Sequence, residues 1–255
     1  MSKLPKKHKF IDLSDYGRPV AKMIAGALKN TKLTPIHITV GFIISGLLAI
    51  YCILESQYIL AAFFLIFKSI LDAADGELAR VKNTPSYTGR YLDSIADIIL
   101  NALFFLTIWY VTTTSLWVCL IAFVGLQLQG TLYNYYYVIL RNKLQGDTTS
   151  RIFENEPPTA LHGETQKRVN VLFALFKTLY VAFDKTIYYL DRNASQGKLL
   201  PKWLMTGVSV LGLGFQLLII AVMLALGYKE YILPFFIMYT LLIFLFVGIR
   251  KTFSS

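Results

Sequence analysis

Four aspartates, Asp72, Asp75, Asp93 and Asp97, are the residues of this 255-residue chain whose type and spacing point to chemistry. They stand in two runs, Asp72-Ala-Ala-Asp75-Gly76-Glu-Leu-Ala79-Arg80 and Gly89-Arg-Tyr-Leu-Asp93-Ser-Ile-Ala-Asp97, joined by a short polar turn. At about 100° per residue, Asp72, Asp75, Gly76, Ala79 and Arg80 share one helix face. Gly89, Asp93 and Asp97 step by four along one face of the next helix. Two antiparallel helices therefore aim two carboxylates each into one gap. Like charges at that range cannot all stay ionised unaided. Hard divalent cations resolve the conflict, and an all-carboxylate shell without His or Cys suits Mg²⁺ or Mn²⁺. The plain alternative is a solvated loop with capping aspartates; four carboxylates in helical register beside Gly, Ala and Arg weigh against it.

The elements that must position these groups are apolar. Hydrophobic runs at 58–71 and 98–111 flank the cluster. An aspartate at the centre of a membrane helix costs roughly 2.5–3.5 kcal/mol on the insertion scale, so such groups are functional candidates. The chain is 55% hydrophobic and 16% charged, with mean hydropathy +0.54 and net charge +10. That composition excludes a soluble basic domain and fits an all-α integral membrane protein. Six transmembrane helices are expected at 36–54, 58–80, 89–112, 117–140, 203–226 and 231–248, each long enough for a ~30 Å hydrocarbon core. Residues 1–33 read as a basic tail followed by a short amphipathic helix over 16–28, lying at the bilayer interface. Residues 34–255 form one membrane catalytic domain with a polar insert at 141–202. Within the insert, 169–190 is apolar but holds Lys177, Asp184 and Lys185, which favours an interfacial or partner-packing helix over a seventh span. The first ten residues are polar and basic, so no cleavable signal peptide is expected.

Orientation follows from basic residues. Under the six-span arrangement 23 of the 25 Lys and Arg fall on one side, with Lys229 opposite and Lys68 inside the membrane. Both termini and the aspartates are then cytoplasmic, in the cell membrane of a prokaryote or the endoplasmic reticulum of a eukaryote. Lys68 lies one turn before Asp72 and reads as a charge partner, a phosphate contact or a snorkelling lysine. Glu77 points off the carboxylate face and reads as a boundary residue. Cys52 and Cys119 read as buried free thiols, and His37 and His162 lack partners at zinc spacing. The run 133–137 resembles an aromatic interface belt.

The pattern Asp72-x2-Asp75-Gly76-x2-Ala79-Arg80-x8-Gly89-x3-Asp93-x3-Asp97, eight specified residues across 26 positions, resembles the complete signature of the CDP-alcohol phosphatidyltransferase family. Upstream, Thr34-Pro35-Ile36-His37-Ile38-Thr39 is similar to the family's Pro-Asn-x-x-Thr/Ser run, with Ile36 in place of the Asn. The resemblance implies transfer of a phosphatidyl-type group from a CDP-activated lipid to a polar alcohol, with release of CMP, in phospholipid biosynthesis. It implies a two-metal Mg²⁺ or Mn²⁺ site held by Asp72, Asp75, Asp93 and Asp97, with Asp97 as ligand or general base. By the same resemblance Asp72, Asp75, Gly76, Ala79, Arg80, Gly89 and Thr39 face the CDP and its phosphates: small Gly76 and Ala79 admit the nucleotide to the helix backbone, and Gly89 allows close helix approach. Lys68, Arg141 and Arg151 are candidates for the acceptor side. A homodimer in membrane lipid is implied, and no nucleic-acid partner. Two other readings stay open: a CDP-ethanolamine- or CDP-choline-type phosphotransferase acting on diacylglycerol, and, outside the family, an ion-coupled transporter. The identity of the acceptor alcohol is not readable from the sequence.

Overall fold

The computed structural model describes residues 4–145 and 154–254, and among these every regular element is helical. Ten α-helices follow in order: α1 (Arg18–Leu28), α2 (Pro35–Leu54), α3 (Tyr58–Lys82), α4 (Tyr87–Tyr110), α5 (Leu116–Lys143), α6 (Gln166–Leu190), α7 (Lys202–Val208), α8 (Leu213–Ala225), α9 (Ile232–Tyr239) and α10 (Leu241–Ser254). Local chemistry sets their ends. Pro35 opens α2, where its missing N–H is no loss, and His37 Nδ1 accepts from the Thr34 N–H at 3.1 Å. His37 is thus occupied as a cap. Asn83 ends α3 in the left-handed region (φ 52°), which a short polar side chain tolerates. Ser86 then caps α4 by accepting from the Gly89 N–H at 2.8 Å.

The main core joins α2, α3, α4, α5, α8 and α9 through Phe42, Leu65, Phe104, Leu126, Leu217 and Phe236, all buried. Among the described residues, four helices are long and apolar enough to cross a membrane: α2, α4, α5 and the stretch Lys229–Phe253 that holds α9 and α10. A fifth crossing arises if the bent pair Lys202–Leu211 and Leu213–Ala225 counts as one. The chain therefore has the build of an integral membrane protein. Helix α3 falls outside that count because it carries Lys68, Asp72, Asp75, Glu77, Arg80 and Lys82.

Several expectations need revision. The expected fifth span is not continuous but bends by 50° at Gly212. The cause is the N-terminal segment: Leu13 N–H donates to Ser209 Oγ at 2.9 Å and Gly214 N–H to Ser14 Oγ at 3.1 Å, so Ser14 sits in the bend. A Cβ at Gly212 or Gly214 would collide with Ser14. Tyrosines 133–137 are not an outward belt. Tyr136 is fully buried and donates to Asp191 Oδ2 at 2.6 Å, Tyr135 donates to Asp191 O at 3.1 Å, and Tyr133 donates to Asp12 Oδ2 at 2.5 Å. Helix α1 turns Ala21 and Ala25 onto Ala74 and Leu78 of α3, leaving Val20 and Met23 exposed. Helix α6 is not among the candidate spans; it packs Val169 and Phe173 on Tyr91 and Ile95 of α4.

Candidate active site

The two halves of the aspartate pattern meet. Asp72 and Asp75 on α3 and Asp93 on α4 each present a carboxylate oxygen within 4.8 Å of the others. Thr39 on α2 donates to Asp75 Oδ2 at 2.8 Å. Asp93 Oδ1 is buried and has no hydrogen-bond partner among the described residues. Three oxygens converging with one orphaned is a hard, all-oxygen donor set of the kind Mg²⁺ or Mn²⁺ takes. The residues present fit such an ion.

Asp97 lies one turn beyond Asp93 and is ion-paired with Lys68, whose ammonium is also 3.8 Å from Asp72 Oδ2. Lys68 is 0% exposed, so it neither snorkels nor borders the cavity described below. Its place is behind the carboxylates as their fixed counter-charge. Of the readings open for Lys68, this geometry is that of the charge partner.

Glu77 is buried and takes Arg18 Nη1 at 2.7 Å and Arg80 Nη2 at 2.9 Å. It is a clamp rather than a boundary residue: by bridging α1 and α3 it fixes where the Arg80 fork points. The signal for this pairing is Arg18, 59 residues away, which local periodicity does not reveal. The Arg80 guanidinium folds back along α3 over Gly76, where an added Cβ would meet Nη1 at 3.5 Å, an ordinary contact. Gly89 plays no part in helix approach. Among the described residues, the only atoms a Cβ there would meet belong to Ser86 of its own cap, 3.2 Å away.

These groups open into one cavity of about 1450 Å³, bordered by Thr39, all four aspartates, Gly76, Ala79, Arg80, Gly89 and Arg141. Arg151 lies outside the described residues. The segment 154–165, a strap along the cavity wall, borders it with Glu154, Asn155, His162, Gly163 and Glu164. Glu164 accepts from Ser86 Oγ at 2.8 Å and from the N–H groups of Thr88 and Tyr87 at 2.6 and 3.2 Å. Burial alone raises the Glu164 carboxyl; the hydrogen bonds from Thr88, Ser86 and Tyr87 outweigh it and hold it below its ordinary value. Glu154 accepts from Arg90 Nη2 at 2.5 Å and Tyr91 OH at 2.7 Å. Behind the strap, Tyr180 of α6 donates to Ser94 O at 2.7 Å. No short motif in the sequence marks Glu154 or Glu164 as fasteners of the site.

A helical membrane protein with an all-oxygen cation site beside an arginine is the class that fold and geometry define. Residues 32–152, which include all four aspartates, match the model of the CDP-alcohol phosphatidyltransferase family. The likeness seen in the sequence is thereby borne out over that stretch, which is just under half of the chain. Among curated proteins, the chain is 43% identical over 65 residues to the CDP-diacylglycerol–serine O-phosphatidyltransferase of Bacillus subtilis. It is 36% and 34% identical over 67 residues to the enzymes of that name from two strains of Helicobacter pylori. Each match takes in 26% of this chain and spans 28–37% of the relative's own length.

Proposed function

We propose that the protein transfers a phosphatidyl-type group from a CDP-activated lipid such as CDP-diacylglycerol to a polar alcohol, releasing CMP. The observation that supports this reading best is the convergence of Asp72, Asp75 and Asp93, with an orphaned oxygen on Asp93, inside the segment that matches the family. Asp72, Asp75 and Asp93 would hold divalent metal, with Asp97 completing a two-metal set. The metal supplies charge neutralisation for the donor's pyrophosphate.

The chain's own groups account for the rest. Arg80, aimed by Glu77, offers a fixed fork to phosphate oxygens. Gly76 and Ala79 keep α3 slim where the nucleotide lies, and Thr39 holds Asp75 in place. Asp97 accepts the proton of the acceptor hydroxyl, whose oxygen attacks the lipid-side phosphorus in line as CMP departs with the bond it leaves. Lys68 keeps Asp97 anchored at the edge of the metal site. The strap of 154–165 completes the cavity wall, held by Glu154 and Glu164. Arg141 also borders the cavity.

Six membrane crossings, with α3 as the charged second and α7–α8 as a broken fifth, put both termini and the aspartates on the cytoplasmic side. The enzyme acts as a homodimer in the membrane. Cysteine labelling near Ser254 tests the orientation: reagent reaching it from outside intact cells overturns that assignment. For the activity, purified protein with CDP-diacylglycerol, Mg²⁺ and an alcohol panel led by serine should release CMP. Release from CDP-ethanolamine with diacylglycerol instead would move the reading to the water-soluble-donor branch, and metal-driven ion flux without CMP would move it to a transporter.

A further inference from the structure

The cavity continues past the aspartates toward the middle of the bundle. Ser69 lies one turn before Asp72 on α3 and Asn101 one turn after Asp97 on α4, both on the side away from the polar 83–86 connection. Across from them α5 contributes Gln127 and Thr131, and α8 contributes Gln216. All five border the cavity. Asn101, Gln127 and Thr131 are only 5%, 6% and 8% exposed, yet no side-chain hydrogen bond joins them to another described residue, and Gln127 Nε2 is an orphaned buried donor. Gln216 Nε2 is committed to Leu126 O and Gln129 Oε1, both at 3.0 Å, which leaves its carbonyl oxygen toward Gly130.

Buried polar groups are normally satisfied, and carboxamides at mid-bundle depth without protein partners mark a place where something polar binds. We propose that this pocket receives the acceptor alcohol, and that the acceptor is a small hydroxyl compound, neutral or zwitterionic, carrying no phosphate. The inference rests on the phosphatidyl-transfer reading and adds the class of its second substrate. Three arguments converge. Asn101 shares the face of Asp97, so a ligand held there presents its hydroxyl to that carboxylate. Carboxamides both donate and accept, which suits hydroxyl, amine and carboxylate groups alike. The pocket has no cation among these five residues: Lys68 is turned to the aspartates, and Arg141 is about 21 Å from Gln127 along α5. A phosphate at this depth would lack the arginine or lysine that its charge requires.

The test uses the full chain in detergent micelles with Mg²⁺. Asn101→Leu, Gln127→Leu and Thr131→Val should each raise the acceptor KM at least tenfold while the KM for CDP-diacylglycerol and the calorimetric affinity for CDP stay unchanged. Should Gln127→Leu fail to fold, Gln127→Glu keeps the volume, removes the donor, and should give the same KM split. An acceptor KM unchanged in all variants means the pocket holds only water and overturns the proposal. So does a donor KM that rises in step with it. The second arm compares serine, glycerol and myo-inositol with glycerol 3-phosphate and inositol phosphate. Faster turnover with the phosphorylated set overturns the acceptor class while leaving phosphatidyl transfer standing. No CMP release with any alcohol, in protein that binds CDP, removes the transfer reading and the inference with it.

Discussion

Two buried polar clusters in this molecule differ in one respect. In the first, Asp191 at the end of α6 is ion-paired to Arg250 of α10, with Arg250 Nε 2.7 Å from its Oδ2, and Tyr136 donates to the same carboxylate. One anion meets one cation and a hydroxyl: Asp191 Oδ1 has no conventional hydrogen bond but is ion-paired to Arg250 Nη2, and Oδ2 takes both Arg250 Nε and the tyrosine, so the charges are closed. In the second, the four carboxylates of Asp72, Asp75, Asp93 and Asp97 share one ion-paired cation among the described residues, Lys68, which reaches only Asp72 and Asp97, and one buried oxygen of Asp93 has no partner among those residues. Closure marks a staple that ties three helices together. Imbalance marks a site that awaits ligands. The lesson is to count partners before counting charges.

The contrast can be broken most severely at the open cluster. Chelation with excess EDTA, or Asp72→Asn, Asp75→Asn or Asp93→Asn, should reduce CMP release to background and weaken CDP-lipid binding together. Full turnover in EDTA would mean the aspartates need no metal. Asp97→Asn should be milder and of another kind. Turnover should fall by ~10²–10⁴, the usual worth of a general base, with CDP-lipid binding measured by calorimetry close to normal. If binding is lost as badly as in Asp72→Asn, Asp97 is simply another ligand.

The closed cluster should answer in stability instead. Arg250→Met or Asp191→Asn leaves its partner buried and unpaired, at a cost of about 3–5 kcal/mol. The double change Asp191→Leu with Arg250→Met should recover most of that, and the KM for CDP-lipid should stay put throughout. Unfolding in detergent checks the first two statements, and CMP kinetics the third. The smallest effect belongs to the strap. Because the Glu164 carboxyl is held below its ordinary value of 4.5, its contribution is complete above that pH. It is lost as pH falls through the depressed folded value. Glu164→Gln should therefore loosen the strap at pH 7 and have little effect once pH has fallen below that depressed folded value, read as hydrogen exchange of the Thr88 and Tyr87 amides. Equal protection loss at both pH values would detach the effect from ionisation.

What the sequence displayed was whatever a single helix period encodes. Asp72, Asp75, Asp93 and Asp97 meet because spacings of three and four put them on facing stripes, and Lys68 belongs with them by the same rule. Asn101 extends the stripe of Gly89, Asp93 and Asp97 by one more turn, a signal present in the sequence that a charge-based search passes over. Glu77 was misplaced because its partner Arg18 arrives from another helix, and Tyr136 because Asp191 comes from 55 residues away. Composition likewise concealed the bend at Gly212, since Ser14, not a proline, makes it.

That insertion of Ser14 ties residue 14 to residue 214, with nearly the whole chain between them. Asp12 and Asp15 of the same segment border the cavity, as do Leu213 and Gly214 on the far side of the bend. A fragment ending after α5 would carry every signature aspartate and yet leave this wall unbuilt. Contacts of such long sequence separation form late, because the loop they close is long. During synthesis the earliest residues must wait until α7 and α8 emerge. The proposed activity should therefore come last in the life of the nascent chain, well after its four signature aspartates have been made.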